Sequence, residues 1–269
     1  MDGIEFVNAL PTLAFAAFII GVAIFFSVGL QLWARASYGV DQLIENHEVA
    51  GFKYAVVGVA YAVLLAFVVV GVWEEHDRTD HDVQVEADRF YNLHRNSYNF
   101  SNEDGHKMRE ALLAYARAVR DKDWPMMEKG HRGSQVAADA LTRLSYVVGQ
   151  TRPSESNLLP SLSHAIDLMQ DIADMRLERL SDVEGHITPP IWGVLLLGAI
   201  ITLAYPAFFA TRQITPQILM TAGLAAIVGA TLFLTIDLNY PFSGPDRLTA
   251  EPIDDVIQRM KEESKLHEQ

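Results

Sequence analysis

Hydrophobic residues are concentrated in four long stretches of the chain, which come in two pairs. The first pair covers residues 10–33 and 51–73, and the second pair covers residues 191–209 and 218–238. A helix needs about 20 mostly apolar residues to cross the hydrocarbon core of a bilayer, and each stretch meets or approaches that length. The pattern therefore predicts a multi-pass membrane protein, with two membrane helices before and two after a polar insert, residues 74–188.

The polar insert has a helical pattern. Its apolar residues recur every three or four positions, and glycines and prolines separate the runs. The clearest run consists of Leu158, Leu162, Ile166, Met169, Ile172 and Ala173. We therefore expect an all-α protein in four parts: a first helix pair (1–73), a helical soluble insert (74–188), a second helix pair (189–240) and a separable, charged C-terminal tail (241–269).

Composition narrows the range of functions. Half of the residues are hydrophobic and 20% are charged, and the charges lie almost entirely outside the four stretches. This separation is expected because an ionised side chain at the centre of a bilayer costs several kcal/mol. The chain has no cysteine, which excludes disulfides and zinc–thiolate sites. Its net charge of −13 argues against nucleic acid as a partner, since nucleic acid requires basic patches.

The sequence contains no motif that predicts catalysis or cofactor binding. It lacks a nucleophile elbow, a phosphate-binding glycine loop and a dinucleotide fingerprint. His76 and His81 are five residues apart, so they would point in different directions on a helix. We therefore expect no enzyme activity, no cofactor and no metal site. A membrane-embedded metallohydrolase built on these two histidines is the weakest hypothesis.

A set of short segments, spread over residues 45–260, has a distinctive order and spacing. They are Asn46, Ala50-Gly51-Phe52, Tyr61-Ala62-Val63-Leu64-Leu65-Ala66, Tyr115-Ala116, Asp123-Trp124-Pro125-Met126, Arg176-Leu177-Glu178-Arg179-Leu180, Pro190-Ile191-Trp192-Gly193-Val194-Leu195 and Asp237-Leu238-Asn239-Tyr240-Pro241-Phe242-Ser243-Gly244. Together they resemble the bestrophin-like family of bacterial and plant membrane proteins. The resemblance implies the architecture of bestrophins, which are pentameric anion channels. It therefore implies an anion-conducting homo-oligomer, a pentamer, in a lipid bilayer, here the bacterial inner membrane.

Two properties of bestrophins, calcium gating and the cytosolic position of the large domain, do not follow directly for this chain. The run of consecutive acidic residues with which bestrophins bind calcium is missing, so calcium gating is not implied. Bestrophins keep their large domain in the cytosol. In this chain the basic residues of the short loops, Arg35, Lys53 and Arg212, lie on one side of the membrane, and the positive-inside rule would put those loops in the cytoplasm and the insert outside. Both orientations stay open.

The second apolar stretch is the candidate pore lining. Tyr54, Gly58, Tyr61 and Leu65 share one helical face, and rings of such residues around a symmetry axis can gate by dewetting. A pore would require an oligomer, because the four helices of one chain fill their own centre with side chains. The alternative is that this face packs inside its own subunit. An adjacent ridge of small residues predicts close helix packing and consists of Ala55, Gly58, Ala62 and Ala66.

Polar residues near the membrane boundaries are candidates for a vestibule or a selectivity site. They are His47, Glu48, Glu74, Glu75, His76 and Asp237. Such residues can concentrate or select ions, and a histidine can add sensitivity to pH. The alternative is a solvated helix end, and an acidic ring would favour cations over anions.

Two hypotheses about function follow from these patterns. The leading one is an oligomeric channel for inorganic ions, with anion conduction by analogy and with the second membrane helix lining the pore. The alternative is a non-conducting membrane receptor or scaffold, whose acidic helical insert binds a partner protein or a small ligand.

Overall fold

The protein is described by a computed structural model that covers residues 12–45, 47–152 and 155–267. Within these residues there is no strand, and four helices are long and apolar enough to cross a membrane. The all-α, multi-pass architecture is therefore confirmed. The described chain divides into two compact units: a membrane unit, residues 12–75 and 186–239, and a helical unit, the described part of residues 76–185 and 240–267.

The described helices are numbered along the chain. They are α1 (Thr12–Tyr38), α2 (Val40–Glu45), α3 (His47–Asn96), α4 (Asn102–Ala118), α5 (Trp124–Met127), α6 (Gln135–Gln150), α7 (Leu159–Ser181), α8 (Pro189–Ala204), α9 (Ile214–Asn239) and α10 (Glu251–His267). Shorter turns connect them: the π-helical turn Val119–Asp123 and the 3₁₀ turns Ser97–Asn99, Ser156–Leu158, Asp182–Glu184 and Tyr205–Phe208.

The membrane helices follow the apolar stretches, with differences at their ends. Residues 10 and 11 of the first stretch, and Asn46 of the resemblance, lie outside the described residues. Helix α3 continues past Trp73 without a break and reaches a length of 50 residues. Helix α8 ends at Ala204 and passes into a 3₁₀ turn, because Pro206 has no N–H for the carbonyl group four residues earlier.

Polar side chains of α1 satisfy backbone groups where α8 ends. The hydroxyl of Ser27 donates to the carbonyl oxygen of Leu203 at 2.7 Å. Nη1 of Arg35 donates to the carbonyl oxygen of Thr211 at 2.8 Å and to Oε1 of Gln217 at 3.1 Å. In an apolar solvent such groups must find partners within the protein. The side chain of Arg35 therefore holds the hairpin between α8 and α9.

The described residues of the helical unit share a hydrophobic core, to which α7 contributes. In α7 the buried hydrophobic residues are Ala165, Leu168, Ile172 and Leu180, whereas Ile166 is 38% exposed. Ala165 and Leu168 form one buried row, and Leu162 and Met169 of the predicted run are half-buried in a row beside it. Both rows of residues have helical spacing, so periodicity did not distinguish them, and packing against the neighbouring helices decides which row is buried.

The C-terminal tail is part of this core, contrary to the expectation of a separable helix. Helix α10 buries Ile253, Val256, Ile257 and Met260 among residues of α3, α4 and α7. These four positions recur every three or four residues, which gives the charged helix one apolar side. The tail therefore contributes to the stability of the helical unit.

Candidate functional site

Two of the predicted pore-lining residues lie in the core of their own membrane unit. Tyr61 and Leu65 are 6% and 5% exposed. They belong to one buried cluster with residues of α8 and α9, among them Leu195, Ala199 and Ala225. A side chain that is buried inside one subunit cannot line a pore shared by several subunits. For Tyr61 and Leu65, the structure therefore favours packing within the subunit.

The position of Tyr61 depends on a glycine in α8. The ring of Tyr61 lies so close to Gly198 that a Cβ atom at this position would overlap the ring. Close contacts at small residues are a common way for membrane helices to pack, because lipid gives them no hydrophobic driving force to associate. Gly198 thus fixes how near α3 and α8 approach each other.

We expect Gly198→Ala to destabilise the protein by about 1–3 kcal/mol, because the added methyl group must displace a buried ring. Gly193→Ala, on the same helix, is the matched control: an added Cβ there meets no other atom within 4 Å. Thermal unfolding in detergent measures both. Equal unfolding temperatures for the two variants would contradict the close approach of Tyr61 and Gly198.

All four predicted pore residues border an open groove, Tyr61 and Leu65 at its buried side and Tyr54 and Gly58 at its more exposed side. Tyr54 is half-buried, and its ring stacks on that of Tyr205 with the ring centres 5.4 Å apart. Gly58 is half-exposed, and a Cβ atom added to it would meet nothing within 4 Å. Both line an apolar groove of about 530 Å³ between α3, α8 and α9. The ridge of small residues opens into this groove, so the described helices of the same subunit do not cover it.

The side of α3 opposite Tyr61 and Leu65 is apolar and exposed. Val59, Val63 and Phe67 follow one another at intervals of four residues and are 65%, 50% and 75% exposed. Residues spaced in this way lie on the same side of a helix. The sequence did not distinguish this row, because the membrane-spanning part of α3 has apolar residues on all of its faces.

The predicted vestibule residues lie at several places in the fold. Glu48 and Glu74 are exposed, and the side chain of His47 lies outside the described part of the chain. In the membrane unit, Oε2 of Glu75 lies 3.9 Å from Nδ1 of His186, a residue that the prediction did not include. His76 belongs to the helical unit, where it is half-buried.

The end of α9 is a structural junction of the membrane unit. Asp237 is only 9% exposed there. Two residues later, Oδ1 of Asn239 accepts the backbone N–H groups of His186 and Ile187 at 3.1 and 2.9 Å. This side chain therefore connects the end of α9 with the segment that leads into α8. Asn239, which belongs to one of the segments that resemble the bestrophin-like family, therefore has a structural role.

Other residues of the resemblance meet in a buried ionic network of the helical unit. The guanidinium group of Arg179 donates to both carboxylate oxygens of Glu86, at 2.7 and 3.3 Å. Asp123 lies 3.6 Å from Arg179 and 3.0 Å from Arg176. The carboxylate of Asp123 also accepts the backbone N–H and the hydroxyl of Ser134. Asp123 thus supports the loop before α6, and it also directly precedes the start of α5 at Trp124.

Electrostatics inside this network favour the charged arginine. Burial alone would lower the pKa of Arg179, but Glu86 and Asp123 outweigh this effect and raise that pKa. Burial also raises the pKa of the neighbouring Tyr115, and the charge of Glu86 adds to the shift. Glu86 was missed in the sequence, although a carboxylate on the apolar side of α3, beside Val83, is the signal that could have indicated it.

These features define the class of the protein: an all-α, multi-pass membrane protein with a helical unit between two pairs of membrane helices. The chain belongs to the bestrophin-like family, because the family model for the bestrophin-like domain matches residues 14–253. No curated protein matches the sequence significantly.

Solved structures show the same fold. A bacterial bestrophin homologue from Klebsiella pneumoniae, in a point-mutant form, has a TM-score of 0.66 at 12% identity, and the match covers 90% of this chain and 97% of the homologue. Another structure of a bestrophin homologue from Klebsiella pneumoniae has a TM-score of 0.61 at 15% identity and covers 90% and 96% of the two chains. At these identities the likeness concerns the fold.

Proposed function

We propose that the protein is an oligomeric ion channel in which α3 lines a pore on the symmetry axis. The observation that carries this proposal is the filled interior of the membrane unit, where Tyr61 and Leu65 pack against residues of α8 and α9. Side chains therefore fill the centre of the membrane unit as far as its residues are described, and conduction requires several copies around an axis. Membership of the bestrophin-like family supports a channel, and anion conduction is inferred from the resemblance to bestrophins.

We assign the narrowest part of the pore to Val59, Val63 and Phe67. These side chains are apolar and exposed on the side of α3 that points away from the subunit core. Repeated around an axis, they would form three successive apolar rings, which can close a pore by dewetting. This assignment replaces Tyr61 and Leu65 as the pore-facing residues. The groove beside α9 is bordered by all four residues of the earlier prediction and by Val59.

The polar residues near the ends of the membrane helices complete the proposal. His47, Glu48, Glu74, Glu75, His76 and Asp237 remain our candidates for the pore entrances, where they would act on the local concentration of inorganic ions. Their acidic character would favour cations, so a measurement of selectivity is part of any test. The proposed location is the lipid bilayer of a bacterial inner membrane.

The oligomeric state is the first test of the channel. Native mass spectrometry of the protein in nanodiscs should give a closed ring, with a pentamer at about five times the subunit mass of 29.9 kDa. A ring of four or more copies provides an axis for a pore. A monomer or a simple dimer would contradict the channel and would favour the alternative of a receptor or scaffold with a binding partner for the helical unit.

A further inference from the structure

The helical unit contains a cavity of about 550 Å³ whose charged side chains are mostly basic. Three parts of the unit form it: the end of α3 with the following turn, the first turns of α4, and the last turns of α10. Its basic lining residues are His94, His106, Arg109, Lys261, Lys265 and His267. They come from two distant regions of the sequence, residues 94–109 and 261–267, so only the fold brings them together.

The charge of this cavity is opposite to that of the chain. The chain has a net charge of −13, whereas the lining combines one arginine and two lysines with a single carboxylate, Glu110. That carboxylate lies 3.7 Å from Nδ1 of His106. Three permanent cations facing one cavity repel each other, and an anion between them would remove this repulsion.

Arg109 is held in place without a carboxylate partner among the described residues. Its guanidinium carbon lies 4.2 Å from the ring centre of Tyr98, and Nη1 donates to the hydroxyl of Ser97 at 3.2 Å. By contrast, carboxylates pair with Arg120, Arg132, Arg176 and Arg179. A guanidinium group that is oriented in this way can donate two parallel hydrogen bonds to an oxyanion.

His94 joins two walls of the cavity. It is only 2% exposed; its Nδ1 lies 3.2 Å from Oε2 of Glu263, and its Nε2 lies 3.1 Å from the hydroxyl of Ser264. The ring of His267 stacks on that of Tyr98 with the centres 4.0 Å apart. These contacts hold the last turns of α10 against the end of α3. The cavity is therefore formed before any ligand binds.

We propose that this cavity binds the phosphate group of a small soluble compound, with Arg109, Lys261 and Lys265 as the principal ligand-binding residues. A phosphate dianion carries enough charge and enough acceptor oxygens to engage several cations at once, which a monovalent anion does not. The cavity is larger than one phosphate ion and accommodates a small substituent as well. The site belongs to the helical unit alone and does not depend on the proposed pore.

Isothermal titration calorimetry with inorganic phosphate and pyrophosphate tests the site, with the full-length protein in zwitterionic nanodiscs. We expect saturable binding that weakens at least tenfold in Lys261→Ala/Lys265→Ala. The matched control is Lys122→Ala/Lys129→Ala, which removes the same charge from exposed positions of the helical unit outside the cavity. The control should bind like the wild type. Both variants should keep the circular dichroism and unfolding temperature of the wild type.

Three results would overturn the proposal. The first is no binding of either anion to the wild type at millimolar concentration. The second is equal weakening in the two double variants, which would indicate a general effect of charge. The third comes from nanodiscs doped with phosphatidic acid: if this lipid competes with free phosphate in the wild type and in the control, a lipid headgroup occupies the cavity. We expect no such competition.

A titration with sulfate tests the contribution of the histidines at a constant charge of the ligand. Sulfate, unlike phosphate, stays a dianion across the pH range in which histidine titrates. Burial lowers the pKa of His94, the charges of Arg109 and His267 lower it further, and Glu263 opposes them. A bound dianion would favour the protonated ring. Sulfate should therefore bind several-fold more tightly at about pH 6 than at about pH 7.5. Binding that does not change over this interval would exclude the histidines from the site.

Discussion

Arg179→Met should destabilise the helical unit by about 3–5 kcal/mol, because it leaves the buried carboxylate of Glu86 without its partner. Both side chains are 1% exposed, so water cannot replace the lost hydrogen bonds. In a protein of this size, the loss corresponds to a decrease of roughly 6–20 °C in the unfolding temperature. Differential scanning calorimetry or intrinsic fluorescence in detergent measures it.

Two further variants separate the effect of burial from that of charge. Arg132→Ala removes an arginine from the exposed ion pair with Glu184, whose side chains are 61% and 60% exposed. Its effect should stay within about 1 kcal/mol. The double variant Glu86→Leu/Arg179→Met should recover most of the loss, because Asp123 keeps Arg176 as its partner. A double variant as unstable as Arg179→Met would show that the loss does not arise from an unpaired carboxylate.

Phe67→Ala should raise chloride flux several-fold in liposomes that contain the protein. In the proposed pore, the side chain of Phe67 forms the largest apolar ring, and its removal widens the pore and makes it easier to wet. A decrease of about 1.4 kcal/mol in the barrier to an ion corresponds to about tenfold faster passage. Stopped-flow fluorescence with a chloride-sensitive dye inside the liposomes gives the rate.

Two control variants make the flux experiment decisive. Phe25→Ala removes the same side chain from α1, where Phe25 is 82% exposed, and flux should stay at the wild-type rate. Tyr61→Ala should lower stability, because Tyr61 belongs to the core of the membrane unit. If Tyr61→Ala increased flux and Phe67→Ala did not, the pore would lie on the opposite side of α3 from the one proposed. If no variant conducted ions, the channel itself would be refuted.

The two sides of α3 show why the pattern of apolar residues does not predict which face of a membrane helix is buried in the protein. In a soluble helix, apolar residues mark the buried face and polar residues mark the exposed one. In a membrane helix both faces are apolar, because lipid requires apolar residues as much as the protein core does. Tyr61 and Val63 therefore look alike in the sequence. Their burial differs because Gly198 brings α8 close to Tyr61, 137 positions away.

In the helical unit, too, the sequence pattern predicts only some of the buried residues. Most of its apolar runs predicted buried residues, such as Met108, Leu112 and Tyr115 of α4, because water enforces the pattern there. The pattern did not identify the buried row of α7, where two adjacent rows are equally periodic and Ile166 is 38% exposed. It also gave no sign that Glu86 and Arg179, 93 positions apart, form a buried pair.

The sequence by itself determined the membrane class, the four spanning helices and the helical nature of the insert. These features depend on local composition, since the thickness of the bilayer and the period of the helix act on each segment separately. Only the tertiary structure decided which side of α3 faces the subunit core, that α10 completes the helical unit, and that a basic cavity exists in an acidic chain. Each of these depends on contacts between residues that are far apart in the sequence. A local pattern such as the apolar side of α10 does not show which residues will cover it.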